Sequence, residues 1–233
     1  MNISNKRTKT MLSAMKIMVV SPHPDDAELI AGGYLSMRAH SGASILEVAV
    51  CTGDKGTKIR GQDMSGIRKK EQMKASKIVG IENIQFLGMR DAELPGPAAL
   101  RDRLLPIMRD FGPDIVITVD PCLRYEVHSD HITTGFAALE AILFYQFPNV
   151  APGNSTGVPP SVAVSPTNNP DVIINIDKFM TNKIAALKAY KSQPLNIDKL
   201  VDHAKSYGRR IKCNYGEPFK FLYMEELHMN GLA

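Results

Sequence analysis

Short apolar runs rich in β-branched residues alternate with helical patterns along most of this chain, and that alternation limits the folds open to it. Lys16–Pro22 (KIMVVSP) and Asp114–Pro121 (DIVITVDP) are continuous apolar runs of strand length, the mark of strands buried on both faces. Ser44–Asp54 (SILEVAVCTGD) and Asn83–Met89 (NIQFLGM) also read as strands. Between them lie helix-spaced segments. Ala27–Gly42 places Leu29, Ile30, Gly33, Tyr34 and Met37 at helical spacing, and Ser65–Ile81 is expected to bury Ile67, Met73, Ile78 and Val79. Gly96–Pro113 is a third helix, which Pro106 is expected to kink, and Asp130–Phe147 a fourth. Strand–helix alternation with short connections predicts a mostly parallel sheet with helices on both faces: a single-domain, Rossmann-like, doubly wound α/β fold.

Past Phe147 the character changes. Pro148–Pro170 is rich in Pro, Gly, Ser and Asn and reads as a long loop holding one strand, Ser161–Val164. A strand over Asp171–Asp177, a helix over Asp177–Gln193, a helix around Asn196–Arg210 and a strand over Phe219–Leu227 follow. A length of 233 residues suits one domain. Residues 1–15 are polar and basic and are expected to form a flexible tail, with the domain spanning 16–233.

Composition narrows the function classes. A net charge of +4, from 28 basic and 24 acidic residues, is too small to argue for nucleic acid. Basic runs such as Ile67–Lys77 and Tyr207–Lys212 read as solvated helix faces. No apolar run approaches the ~18 residues of a membrane helix, and the N-terminus lacks the apolar core of a secretory signal. Cys51, Cys122 and Cys213 are far apart, which argues against a cysteine zinc site or a disulfide scaffold and for a reducing, cytoplasmic setting.

Polar chemistry gathers where strands are expected to end, the edge at which open α/β sheets bind ligands. His23-Pro24-Asp25-Asp26 with Glu28 follows the first strand, Cys51–Thr57 (CTGDKGT) the second, and His128-Ser129-Asp130-His131 opens the helix after Pro121. Imidazoles and carboxylates without sulfur suit a catalytic zinc ion with an open position. Asp25 and Asp26 are adjacent and cannot point the same way, so one ligates and the other handles protons. His128 and His131 share a helix face, so one can bind metal and the other face a substrate. Asp26 or Asp130 alone would pass as a helix N-cap, and His40, His203 and His228 read as structural or surface residues. Two independent His/Asp clusters on one sheet edge outweigh those readings.

Together, SPHPDDAELIAGG and HSDH resemble the LmbE-like, or PIG-L, family of zinc-dependent N-deacetylases. CTGDKGT, IRKKE (Ile67–Glu71), FLGMRDAEL, KIAALKAYKSQ and GEPF (Gly216–Phe219) match further family segments, so the similarity spans most of the chain. The resemblance implies one zinc per chain held by His23, Asp26 and His131. It implies Asp25 as general base, His128 as the protonated histidine facing the scissile group, and Asp130 as the residue that orients His128. Arg68 matches an arginine beside the substrate, and Glu28 is expected to support the metal site from behind. Arg124 and Tyr125 are candidate sugar contacts. Ser129 stands where proline is common, at a position without chemistry. Tyr190 stands where many members have histidine, a change expected at the pocket rim. The implied substrate is a small amino sugar carrying an N-acetylglucosamine group. The alternative on the same scaffold is another acylated amine, such as a thiol-sugar conjugate or an antibiotic. Family analogy further implies a homo-oligomer, trimer or hexamer. Two other classes fit less well. A phospho-receiver module is shorter and has no purpose for His128 and His131. A nucleotide-binding sheet would carry G-x-G-x-x-G, not carboxylates, after its first strand.

Overall fold

Every apolar run singled out in the sequence becomes a strand of one sheet. The computed structural model describes residues 3–154 and 156–229. Helix α1 (Ile3–Ser13) leads into β1 (Lys16–Ser21), α2 (Asp26–His40), β2 (Ser44–Cys51), α3 (Ser65–Val79), β3 (Asn83–Met89) and α4 (Pro97–Phe111). There follow β4 (Ile115–Thr118), α5 (Ser129–Leu143), β5 (Ser161–Val164), β6 (Val172–Asn175), α6 (Met180–Leu187), α7 (Ile197–Arg210) and β7 (Gly216–Leu222), then a 3₁₀ turn over Met224–Leu227. The seven strands lie in the order β3-β2-β1-β4-β5-β7-β6. β3, β2, β1, β4 and β5 run parallel, and β7 is inserted antiparallel between β5 and β6.

Alternate side chains of the central strands feed two cores, as the period of a strand requires. Ile17, Val19, Ile115, Ile117 and Ala163 pack beneath α2, α3, α6 and α7. Met18, Val20, Val116, Val162 and Val164 pack beneath α4 and α5. Gly80 (φ 96°) and Gly112 (φ 60°) end α3 and α4 in the left-handed conformation that lets a helix stop sharply. Among the described residues, no helix is long and apolar enough to cross a membrane.

Three local expectations are corrected. The segment read as a flexible tail is helical from Ile3 to Ser13. Its Met11 is fully buried, its Met11 carbonyl accepts from Tyr34 Oη at 2.8 Å, and Arg7 pairs with Asp171 and with Glu226 Oε1. All these partners lie on distant segments, so local composition could not reveal them. The strand read over Phe219–Leu227 instead spans Gly216–Leu222, and Met224–Leu227 forms a 3₁₀ turn. Helix α5 ends at Leu143 instead of Phe147 because buried Arg109 takes the carbonyls that follow. Its guanidinium donates to Phe144 O (3.1 Å), Tyr145 O (2.9 Å) and Phe147 O (2.9 Å), and to Ala151 O and Pro152 O in the long loop.

Candidate active site

The chain leaves β1 towards β2 on one side, and β4 lies on the other. This reversal opens a crevice at the carboxyl ends of β1 and β4. The segment after β1 supplies His23, Asp25 and Asp26, and the start of α5 supplies His128, Asp130 and His131. The segment after β2 supplies Gly53 and Lys55, and that after β3 supplies Asp91. Asp91 holds the β2 loop by accepting from Gly53 N (2.8 Å) and Lys55 N (3.1 Å). All of these but Asp130 line a cavity of about 390 Å³ whose wall is made mostly of polar residues, Arg68 and Gln193 among them.

His23, Asp26 and His131 each present a ligand atom, all within 4.8 Å of one another. Asp26 Oδ2 stands 3.5 Å from His23 Nδ1 and 3.5 Å from His131 Nε2. Each imidazole turns its other nitrogen to a carboxylate: His23 Nε2 lies 3.0 Å from Asp130 Oδ2, and His131 Nδ1 3.3 Å from Glu126 Oε2. This is the arrangement that fixes ring orientation and tautomer at metal sites. The electrostatics favour a cation here. Burial works to raise Asp26, yet the bond to His23 and the charges of His131 and His23 hold it below the usual carboxylate range. Burial works to lower His23, yet Asp26 and Cys51 push it up to about 11. One carboxylate and two imidazoles are a donor set that zinc accepts, and the adjoining cavity leaves one side open. The residues therefore fit the metal that the sequence implies. Asp130 Oδ1 is buried with no hydrogen-bond partner, a further unsatisfied anionic atom beside the cluster.

Asp25 precedes α2 with φ 106°, in the left-handed region where a side chain other than glycine is strained. Its carboxylate lies 3.3 Å from Arg68 Nη2. Burial, then the neighbouring Asp26, push the Asp25 carboxyl up to about 7, against the pull of Arg68. An acid so placed exchanges a proton near neutrality, as a general base requires. His128 caps α5: its Nδ1 accepts from Asp130 N at 3.3 Å. A ring that accepts at Nδ1 carries its proton on Nε2. Burial and the charges of His23 and His131 lower the His128 pKa.

Other expectations are also revised. Asp130 does not orient His128 through its carboxylate, which is 4.0 Å from Nδ1; it bonds His23 instead and accepts from Ala92 N at 2.7 Å. Glu28 is wholly buried, and its bonds run to Tyr190 Oη (2.8 Å) and Ser76 Oγ (3.3 Å), not to a ligand. Tyr190 is likewise a core residue, absent from the rim. Arg68 reaches the cavity wall but donates to Pro24 O and pairs with Asp25, so it holds the base's segment in place. Arg124 and Tyr125 are exposed outside the cavity, with the guanidinium 4.8 Å from the Tyr125 ring centroid. Sequence reasoning missed Glu126, Asp91 and Gln193. Each carried a signal: Asp91 lies in the family-like segment FLGMRDAEL, Gln193 ends KIAALKAYKSQ, and Glu126 is a carboxylate two residues before His128.

Comparison with known proteins places these features. Residues 18–142 match the PIG-L family, described as GlcNAc-PI de-N-acetylase. The diacetylchitobiose deacetylase of Thermococcus kodakarensis is 28% identical over 232 residues, covering 94% of this chain and 87% of that protein. A probable N-acetyl-alpha-D-glucosaminyl L-malate deacetylase 2 of Bacillus anthracis is 28% identical over 198 residues, covering 78% and 83%. Among solved structures, the N,N'-diacetylchitobiose deacetylase of Pyrococcus horikoshii superposes with a TM-score of 0.88 at 30% identity, covering 97% of this chain and 90% of that one.

Proposed function

The chain belongs to the PIG-L family, and from that premise we propose that it is a zinc-dependent N-deacetylase acting on an N-acetylglucosamine-containing sugar. The reaction is amide hydrolysis, with acetate and a free amine as products. The observation that carries the reading is the convergence of His23, Asp26 and His131 on one point, with strained Asp25 beside them at the cavity wall. The relatives named as deacetylases of chitobiose and of a glucosaminyl malate support the amino-sugar class.

In this reading His23, Asp26 and His131 hold one zinc ion. Bound there, zinc supplies a Lewis acid that polarises an amide carbonyl and makes water acidic near pH 7. Asp25 accepts the proton of the attacking water on its carboxylate, and Arg68 fixes where that carboxylate points. His128 donates its Nε2–H to the oxygen on which negative charge develops. Asp25, once protonated, returns its proton to the departing amine nitrogen, so the water and amide bonds broken are balanced by an acid and an amine formed. Asp130 and Glu126 orient His23 and His131. Self-association as a trimer or hexamer and a cytoplasmic location complete the proposal; sedimentation and cell fractionation check them.

The deciding experiment measures acetate released from N-acetylglucosamine and N,N'-diacetylchitobiose by enzyme of known zinc content. Acetate in step with zinc occupancy, and the loss of both in His131→Ala, are expected. A zinc-replete enzyme that releases no acetate from either sugar would refute the reading.

A further inference from the structure

The metal cluster is bordered by two cavities, not one. The polar cavity already described lies on the side of Arg68, Lys55 and Asp91. A second cavity, of about 420 Å³, is lined by Asp26 and His131 together with residues of α7 and β7. The two share Asp26, Leu29 and His131. The second is walled mainly by apolar groups: Leu29 and Ile30 of α2, Val119 after β4, Leu200 and Ala204 of α7, and Pro218 of β7. Its buried cation, Lys183, is neutralised within the wall, 2.7 Å from Glu217 Oε1 and 2.8 Å from Leu29 O.

An amide has two ends, and a hydrolase that grips its carbonyl between two cavities sorts them. Hydroxyl-rich sugar matches the polar cavity, with its arginine, lysine, glutamine and carboxylates. The acyl end is then directed to the apolar side. An acetyl group offers that side one methyl, whereas the cavity has a volume within the range of whole-ligand pockets, roughly 300–1,000 Å³. We propose that this cavity is an acyl-chain pocket and that the enzyme hydrolyses N-acylglucosamines with linear chains longer than acetyl in preference to the acetyl compound. The inference rests on the amidohydrolase reading above and extends it to the acyl group. Each methylene moved from water into an apolar pocket favours binding about fourfold, and a rigid wall sets the length at which the gain stops.

The test compares kcat/KM for N-acetyl-, N-butyryl-, N-hexanoyl- and N-octanoylglucosamine on zinc-loaded enzyme, following release of glucosamine. Binding of acetate, butyrate and hexanoate is measured alongside by calorimetry. The expected result is a rise of at least tenfold from acetyl to hexanoyl, with tighter binding of hexanoate than acetate. Ala204→Phe, which fills the pocket, should lower the hexanoyl-to-acetyl ratio at least tenfold. Leu200→Trp does the same from the half-buried wall if Ala204→Phe does not fold. Acetate release from the acetyl sugar with a flat or falling chain-length series would overturn the pocket and leave the deacetylase reading intact. Failure to cleave any acylated sugar, with hexanoate still bound more tightly than acetate and the preference lost in Ala204→Phe, would keep the pocket and remove that reading. A gain from octyl N-acetylglucosaminide over N-acetylglucosamine, without one along the acyl series, would assign the pocket to the other end of the substrate and overturn the inference.

Discussion

Asp25 combines strain, burial and reactivity in one residue. Its φ of 106° disfavours most side chains, but asparagine is among the few that tolerate this region. Asp25→Asn therefore keeps the backbone and removes the base, whereas alanine would change both. The variant should hold zinc as the wild type does and lose about 10²–10⁴-fold in kcat. Metal analysis beside the kinetics checks it, and full turnover with normal zinc would exclude Asp25 as the base. At this scale the sequence was informative where partners are neighbours. His23 and Asp26 sit three apart, and the local motif brings both to one cluster with His131. It was misleading where a short spacing invited a pairing. Asp130 is two residues from His128, yet its carboxylate crosses to His23, which only the junction of β1 with β4 makes near.

Helix α2, which carries Asp26, is held by an ion pair from the other end of the chain. Glu217 accepts from Gly33 N (2.8 Å) and Tyr34 N (2.7 Å), and Lys183 donates to Leu29 O, the carbonyl that an ordinary helical ladder assigns to Gly33 N–H. Gly33 is required because a Cβ there would lie 2.7 Å from Ile176 Cδ1. Lys183→Met should cost about 3 kcal/mol, since it leaves Glu217 buried without its cation. Adding Glu217→Gln should cost less than the sum of the two single changes, because the pair acts as a unit. Urea unfolding of the four proteins reads this directly, and strict additivity would mean that the two residues act separately. Helical periodicity made α2 legible, as did Gly42, at which the pattern stops. It could not reveal α1, whose anchors Asp171, Phe221 and Glu226 are remote, or the end of α5, which Arg109 sets from another helix.

For the whole molecule, alternating elements announced the parallel sheet and its active edge, while the order of the last strands was not written in any local pattern. The sheet also encloses two carboxyls that no cation neutralises at hydrogen-bond range among the described contacts. Glu28 and Glu47 are both fully buried and both bonded to Ser76 Oγ. Burial, then the charge of Glu47, raise Glu28 well above its ordinary 4.5; burial likewise raises Glu47. The folded protein thus keeps a proton that the unfolded chain releases above 4.5, so this contribution to stability is complete below that value and diminishes as pH rises towards the folded pKa. Glu28→Gln, which cannot ionise, should gain stability relative to wild type as pH rises above 4.5. Both proteins are compared at saturating zinc, so that metal binding cancels, and a difference independent of pH would show that Glu28 does not titrate.

The insertion of β7 between β5 and β6 has a consequence for how the protein is made. A ribosome delivers His23 and Asp26 long before Glu217. A nascent chain arrested before Gly216 already carries both His/Asp motifs, yet α2 still lacks the clamp that Glu217 applies, and β6 has no neighbour in the sheet.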